Sequence, residues 1–112
     1  MLLPGADRAV VDIVKLRYYC LSPTHPRGRH KARVFAATVG LTAADAEELR
    51  EALLGAARTG EAIAGRADEY GQRYAVDFDF VRADRRARIR SAWIIRTGED
   101  FPRFTSCHVL LD

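Results

Sequence analysis

The residues best suited to chemistry form a basic stretch in the first third of the chain. Between His25 and Arg33 the sequence contains two histidines, one lysine and three arginines, and no acidic residue. Imidazoles exchange protons near neutral pH, and a helix N-terminus with nearby cations attracts anions. The stretch therefore predicts a phosphodiester site, with His25 and Lys31 near the reacting group and the other polar side chains binding substrate: Arg27, Arg29, His30 and Arg33. The alternative is a solvated basic loop in which His25 only fixes the turn.

A second set of polar residues lies in the last two predicted strands. Ser91, Ser106 and His108 occupy positions where an apolar residue is usual. They could line a cleft on a sheet face, where His108 acts as acid or base and Ser106 bonds a phosphate oxygen. An open sheet face or a hydrogen-bonded core histidine is the alternative. Tyr70, before Gly71 in a predicted turn, could stack on a base or could simply pack the turn.

Helical spacing in the first half predicts the elements that position the basic stretch. Asp12 is a plausible N-cap for a first helix, whose apolar residues recur at Ile13, Leu16 and Cys20. A second helix is predicted from about Lys31 to Val39, ending at Gly40. Its buried face would contain Ala32, Phe35, Ala36 and Val39.

A third helix is predicted after Thr42, which with Asp45 resembles a capping box. Acidic residues follow in the first turns, where they suit the helix dipole. The buried stripe repeats at helical spacing and the helix ends at Gly60: Ala46, Leu49, Leu53 and Ala56.

The pattern then changes to the alternation of strands. Strands are predicted at about 61–66, from Gln72 onward, at 86–96 and at 103–111. In the second strand the inward side chains would be Tyr74, Val76, Phe78 and Phe80. In the third strand one face would carry Ile89, Ser91, Trp93 and Ile95, and in the last strand one face would carry Phe104, Ser106, His108 and Leu110.

Short loops between adjacent strands require antiparallel pairing. We therefore expect an α+β fold in which two to three N-terminal helices pack on one face of a four-stranded antiparallel β-meander. The helices would occupy about 12–59 and the sheet about 61–111, in one domain spanning 1–112. The first strand would be an exposed edge that could pair with a second copy, which makes a homodimer possible.

Composition limits the class of protein further. The 112 residues carry a formal charge of +3, and the excess lies before Gly60, where 9 basic residues stand against 6 acidic ones. Cys20 and Cys107 lack zinc spacing and are interpreted as reduced core residues. No P-loop, dinucleotide-binding, nucleophile-elbow or metalloprotease motif occurs. With no secretion signal or apolar membrane segment, we expect a cytoplasmic protein with no membrane contact, no metal and no cofactor.

Three segments together resemble a family of short bacterial proteins of unknown function, DUF6883. They run Leu16-x-x-Tyr19-x-Leu21-x-Pro23-x-His25-Pro26-x-Gly28-x-x-Lys31-Ala32-x-x-Phe35, Asp68-Glu69-Tyr70-Gly71-x-x-Tyr74, and Ala92-Trp93-Ile94-Ile95-Arg96-x-Gly98-Glu99-Asp100-x-Pro102-Arg103. The resemblance covers nearly the whole chain. It implies no settled activity.

The order of helices before a four-stranded antiparallel sheet also resembles the barnase, EndoU, colicin and RelE group of endoribonuclease toxins. His25 and Lys31 match the early histidine and cation of several such toxins. Ser106 and His108 match a late Thr-x-Tyr pair, with serine for threonine and histidine for tyrosine. The resemblance implies metal-independent RNA cleavage by 2′-OH attack, and a cognate antitoxin or immunity protein as partner.

The leading hypothesis is therefore an RNA-cleaving toxin with five catalytic residues: His25, Lys31, Arg96, Ser106 and His108. The two histidines would exchange protons in either order, the two cations would stabilise phosphate charge, and Tyr70 would stack on a base. One phosphate can contact all five only if they converge within roughly 8 Å. The alternative is a non-catalytic binding module, such as an antitoxin, immunity partner or regulatory protein, whose basic loop contacts RNA or an acidic partner.

Overall fold

Three helices precede a four-stranded sheet in the computed structural model, which describes residues 1–111. The helices are α1 (Ile13–Lys15), α2 (Arg29–Val39) and α3 (Ala46–Thr59). The strands are β1 (Ala62–Asp68), β2 (Gly71–Arg82), β3 (Arg85–Arg96) and β4 (Arg103–Leu110). They pair in the order β1-β2-β3-β4, each antiparallel to the next. The predicted α+β fold is confirmed, and no helix within residues 1–111 is long and apolar enough to cross a membrane.

The first helical segment is capped as predicted but has an unpredicted shape. The Asp12 carboxylate accepts a hydrogen bond from the Val14 backbone N–H at 2.9 Å. After one α-helical turn the chain widens into a π-helical turn, Leu16–Cys20. Leu16 and Cys20 are both fully buried, so the wider turn still directs them into the core.

Helix α2 begins at Arg29, two residues before the predicted start at Lys31. It ends where expected, because Gly40 adopts the left-handed conformation (φ 70°) that glycine tolerates best. Of the face predicted to be buried, Ala32, Phe35 and Val39 are buried. Ala36 is exposed, so its assignment to the core was wrong. Three buried positions are enough to seat this helix on the sheet.

The predicted capping box before α3 is present. The Asp45 carboxylate accepts from the Thr42 backbone N–H at 2.9 Å, and the pair starts a short 3-10 turn, Ala43–Asp45, that leads into α3. The backbone hydrogen bond from Thr42, reinforced by Arg82, lowers the pKa of Asp45. The four residues of the predicted stripe are buried: Ala46, Leu49, Leu53 and Ala56.

The helices cover one face of the sheet, and the core lies between them. Side chains of β2 and β3 alternate as predicted, so that Val76, Ile89 and Trp93 are buried against the helices. Ser91 shares that face and is fully buried. Its hydroxyl donates to the Val76 carbonyl at 2.7 Å and accepts from the Trp93 indole N–H at 2.9 Å. Ser91 is therefore a hydrogen-bonded core residue and does not line a cleft with Ser106 and His108.

Strand β4 departs from regular alternation at one residue. Trp93 of β3 pairs with Phe104, whereas the preceding Ala92 pairs with Ser106, so Thr105 is an extra residue in β4. Such a bulge shifts the side chains after it to the opposite face. Phe104, Cys107 and Val109 are buried in consequence. The prediction that Phe104 shares a face with Ser106, His108 and Leu110 was therefore wrong.

Candidate functional site

His25 organises the loop that leads into α2. Its Nδ1 accepts hydrogen bonds from the backbone N–H groups of Arg27 and Gly28, both at 3.0 Å. An imidazole nitrogen that accepts two hydrogen bonds carries no proton, so the neutral ring carries its proton on Nε2. His25 therefore closes the turn, and only its Nε2–H remains to contact a ligand. This geometry is the turn-fixing role that was one of the two sequence interpretations.

Tyr19, in the π-helical turn, packs against this loop. The His25 ring meets the Tyr19 ring edge to face at a centroid distance of 4.8 Å. The Lys31 Nζ lies 5.8 Å from the centroid of the same ring. Gly28 packs so closely on Tyr19 that an added Cβ would lie 2.1 Å from the Tyr19 carbonyl oxygen. The loop and the first turn of α2 are thus held at a fixed distance from the π-helical turn.

A cleft of about 290 Å³ lies between α2 and the edge strand β4. We call it the α2–β4 cleft; it is lined by His30, Lys31, Val34, His108 and Val109. It brings together two imidazoles and an ammonium group above two apolar side chains. Lys31 and His108 of the predicted catalytic set lie here, and so does His30, which was predicted only to bind substrate.

The pKa of His108 is lowered from its usual value, first by partial burial and then by the nearby positive charges of Lys31 and Arg90. Asp77 opposes this effect weakly, because its carboxylate is held by Arg90 in a bidentate pair at 2.8 Å for both contacts. Arg90 pairs with Asp77 on β2 and stands opposite His108 on β4. His108 is thus favoured in its neutral form, which accepts a proton or a hydrogen bond.

Two residues of the predicted site lie at another end of the sheet. Arg96 is six residues beyond Arg90 on β3, and a strand rises about 3.3 Å per residue, so Arg96 stands about 20 Å from the position opposite His108. Tyr70 lies beside Arg96, because its carbonyl accepts from the Thr97 backbone N–H at 3.1 Å. The convergence of all five predicted catalytic residues in one cleft is therefore not found. Arg96 instead borders a separate depression of about 80 Å³ with Lys15.

Ser106 lies near the cleft but does not line it. It is two residues before His108 on the same side of β4 and is half-buried opposite Ala92. No hydrogen bond of its hydroxyl to another described residue is found in the range 1–111.

The cations of the basic stretch differ from several arginines of the sheet in having no carboxylate partner. On the sheet, Arg88 pairs with Asp79, Arg90 with Asp77, and Arg103 with Glu99. Within the described part of the chain, no carboxylate forms an ion pair with any of the four cations around the start of α2: Arg27, Arg29, Lys31 and Arg33. The three arginines among them are exposed. They form a surface of uncompensated positive charge around the start of α2.

The two cysteines are free and buried, as predicted. The neighbouring Cys20 thiol, together with burial, raises the pKa of Cys107. Buried neutral thiols of this kind pack as small apolar groups. No group of three or more metal-ligating side chains is found among residues 1–111.

The structure is that of an α+β protein with a basic cleft between a helix and an edge strand. The chain belongs to the family described as a domain of unknown function (DUF6883), which matches residues 2–111. The resemblance to that family seen in the sequence is therefore confirmed. No curated protein matches the chain.

The sequence interpretation misjudged which histidine of the basic stretch faces His108. His25 and His30 are the same residue type, and each has an arginine one or two positions away in the sequence. The distinction depends on where α2 begins, since a start at Arg29 places His30 and Val34 four residues apart on one flank of the helix. The Pro26 and Gly28 that follow His25 were the available signal that this histidine belongs to a turn.

Proposed function

We propose that this protein is a metal-independent ribonuclease whose reaction takes place in the α2–β4 cleft. The proposal depends chiefly on one observation: a His108 imidazole favoured in its neutral form shares an open cleft with Lys31 and His30. RNA supplies its own nucleophile in the 2′-OH. Cleavage then requires a base, an acid and a positive charge at the phosphate.

The three polar side chains of the cleft supply these functions in a defined sequence. His108 accepts the proton of the 2′-OH, and the 2′ oxygen attacks the adjacent phosphorus. Lys31 stabilises the negative charge that accumulates on the phosphate oxygens. His30 in its imidazolium form donates a proton to the departing 5′ oxygen as the P–O5′ bond breaks. The products are a 2′,3′-cyclic phosphate and a 5′-hydroxyl, and the proton balance requires no metal.

The surface around the cleft suits a polyanion. Arg27, Arg29 and Arg33 are exposed and have no carboxylate partner in residues 1–111, so their charge is available to neighbouring phosphates. The backbone N–H groups of His30 and Lys31 belong to the first turn of α2, where a helix favours anions. His25 contributes by holding this turn in place, and Ser106 is near enough to contact a neighbouring part of the substrate.

A non-catalytic RNA-binding module is the second candidate. Two observations favour it: His25 Nδ1 is bonded within the loop, and Arg96 and Tyr70 lie away from the cleft. Fewer of the catalytic residues predicted from the sequence are therefore available in the cleft. Such a module would use the same basic surface to hold an RNA backbone or an acidic partner protein. A cognate antitoxin or immunity protein remains a proposal under either function.

The test is cleavage of a short fluorescent RNA by purified protein in excess EDTA. We expect products with a 2′,3′-cyclic phosphate, and no cleavage of the same sequence carrying 2′-O-methyl groups. His108→Gln and Lys31→Gln should each reduce the rate by at least about 100-fold, as losses of a proton-transfer group or a charge-stabilising group typically do.

Arg58→Gln is the matched control, because Arg58 is an exposed arginine at the end of α3, outside the cleft. Each variant is first checked for folding by circular dichroism. RNA that is bound by the folded wild-type protein but remains intact would contradict the ribonuclease proposal and support the binding module. Absence of both binding and cleavage would contradict both.

A further inference from the structure

A second concave site lies on the flank of α2 opposite the cleft. We call it the α2 groove; it has a volume of about 300 Å³. Arg29, Arg33 and Thr42 supply its polar groups. Its walls include the apolar side chains of Leu21, Pro23 and Ala36. None of the steps proposed above uses this groove.

We propose that the α2 groove binds a nucleotide that flanks the scissile phosphate of the same RNA strand, with its phosphate on Arg29 and Arg33 and its base against the apolar walls. The proposal rests on the proposed contact with RNA, and it adds a second subsite to it. It assigns the groove to single-stranded RNA, since a base must leave any duplex stack to enter it.

The arginines fit the phosphate part of this assignment. Arg29 and Arg33 are four residues apart on α2, so their side chains are neighbours on one flank of the helix. Both are exposed, and neither forms an ion pair with a carboxylate of residues 1–111. Arginine binds phosphate through paired N–H donors. Two such groups at this spacing can hold one or two successive phosphates.

The apolar walls fit the base. Leu21 is buried and forms the floor, whereas Pro23 and Ala36 are exposed at the rim. Apolar side chains can pack against the face of an unstacked nucleobase, and such packing does not by itself read a particular sequence. Ala36 was expected in the core, and its exposure at a groove rim gives this position a different role. A small residue here keeps the groove open.

The size of the groove favours a nucleotide over a protein. Stable protein partners each bury about 800 Å² of surface. A pocket of this volume corresponds instead to the lower end of small-molecule sites. The groove and the cleft also share α2, which is roughly 10 Å wide with its side chains. An RNA strand that crosses the first turn of α2 therefore passes Lys31 on one flank of the helix and Arg29 on the other.

The first experiment fills the groove without changing its charge. Ala36→Phe places a large side chain at the rim, and Ala37→Phe is its control, because Ala37 is an exposed neighbour on α2 that does not line the groove. Binding of a fluorescein-labelled hexanucleotide with 2′-O-methyl groups, which cannot be cleaved by 2′-OH attack, is measured by anisotropy. We expect Ala36→Phe to weaken affinity about tenfold and Ala37→Phe to weaken it less than about twofold.

The second experiment removes the charge. The double variant Arg29→Gln/Arg33→Gln should weaken binding of the same hexanucleotide about tenfold and reduce the slope of log affinity against log salt by about one. The control is Arg58→Gln/Arg96→Gln, two exposed arginines outside the groove and the cleft that also lack an ion pair with residues 1–111. Circular dichroism confirms that each variant is folded.

The outcomes separate this inference from the proposed activity. Wild-type affinity in Ala36→Phe overturns it, whether or not the protein cleaves RNA. Loss of affinity for a glutamate-rich helical peptide in Ala36→Phe, with RNA binding unchanged, also overturns it and assigns the groove to a protein. Weakened RNA binding in both groove variants supports the inference even if the wild-type protein cleaves nothing, a result that would remove only the catalytic proposal.

Discussion

At the scale of single residues, the charge of Lys31 adds to burial in favouring the neutral form of its neighbour His108. The pKa of His108 is lowered by burial and by the positive charges of Lys31 and Arg90. An anion bound between Lys31 and His108 would offset those charges and raise this pKa. A phosphate group would therefore bind more tightly as the pH falls through the range in which His108 takes up a proton.

Removal of the lysine charge should have a measurable effect on this histidine. We expect Lys31→Gln to raise the pKa of His108, because one of the two positive charges that lower it is lost. The pKa is followed by NMR through the imidazole Cε1–H shift of His108. Inorganic phosphate added to the wild-type protein should also raise the pKa of His108, and such an increase would locate an anion in the cleft.

Lys15→Gln is the control for this titration. Lys15 is the only other lysine, and its Nζ lies 3.5 Å from the Phe104 carbonyl oxygen, away from the cleft residues. A His108 pKa that is the same in wild type, Lys31→Gln and Lys15→Gln would show that Lys31 does not act on His108, and the assignment of the cleft would lose its electrostatic basis.

At the scale of elements, the start of α2 depends on a contact between two backbones. Gly28 precedes the helix, and a Cβ at this position would lie 2.1 Å from the Tyr19 carbonyl oxygen. Gly28→Ala must therefore move the loop or the π-helical turn. We expect a loss of about 2–3 kcal/mol in the free energy of unfolding, measured by urea denaturation, and weaker RNA binding because His30 and Lys31 move with the helix.

Gly55→Ala is the matched control for this substitution. Gly55 lies inside α3, and a Cβ there would meet nothing within 4 Å. Since alanine favours a helix interior over glycine, this variant should gain about 0.5–1 kcal/mol in stability. A Gly28→Ala protein as stable as wild type would show that the loop is not fixed by Tyr19.

The same elements show which features could be predicted from sequence. The stripe of α3 and the alternation of β2 and β3 were predicted correctly, because many apolar residues repeat at one period. The bulge at Thr105 could not be predicted, since one extra residue in a strand leaves the composition unchanged and alters only the pairing. The bulge moves the side chains after Thr105 to the opposite face of the strand. Regular alternation without a bulge is what placed Phe104 and His108 on the same face in the prediction.

The candidate site was predicted in part for a similar reason. The basic stretch and His108 were identified by residue type, but their meeting depends on α2 lying along the edge strand β4. Arg96 was included by type alone, and the sheet register separates it from His108. A homodimer through β1 stays a prediction; this edge strand is exposed along 63–68 and carries an irregularity between Ala64 and Ala67.

At the scale of the whole molecule, hydrogen-bonded carboxylates are distributed over the fold. Their pKa values are lowered chiefly by Arg90 for Asp77, by Arg103 for Glu99, and by Arg8 for Asp100. Backbone N–H groups have the same effect on Asp45 and Asp68. A carboxylate with a lowered pKa in the folded state stabilises the fold above its unfolded value. That contribution is lost as the pH falls through the lowered folded value.

The pH dependence of stability should therefore show two separate losses. His108 also has a lowered pKa when folded, so its neutral form contributes stability that declines as the pH falls below its ordinary value of 6.5. The carboxylates, with ordinary values of 3.8 for Asp and 4.5 for Glu, contribute a second loss at lower pH. Urea denaturation at pH 7.5, 5.5 and 2.5 separates the two.

The variant His108→Gln identifies the source of the first loss. It should lose less stability than wild type between pH 7.5 and 5.5 and lose the same amount between 5.5 and 2.5, because the carboxylates are unchanged. Added phosphate should reduce the upper loss in the wild-type protein only, since an anion in the cleft stabilises the protonated His108. An identical pH profile for both proteins, with and without phosphate, would mean that His108 titrates in the folded protein as it does in the unfolded chain.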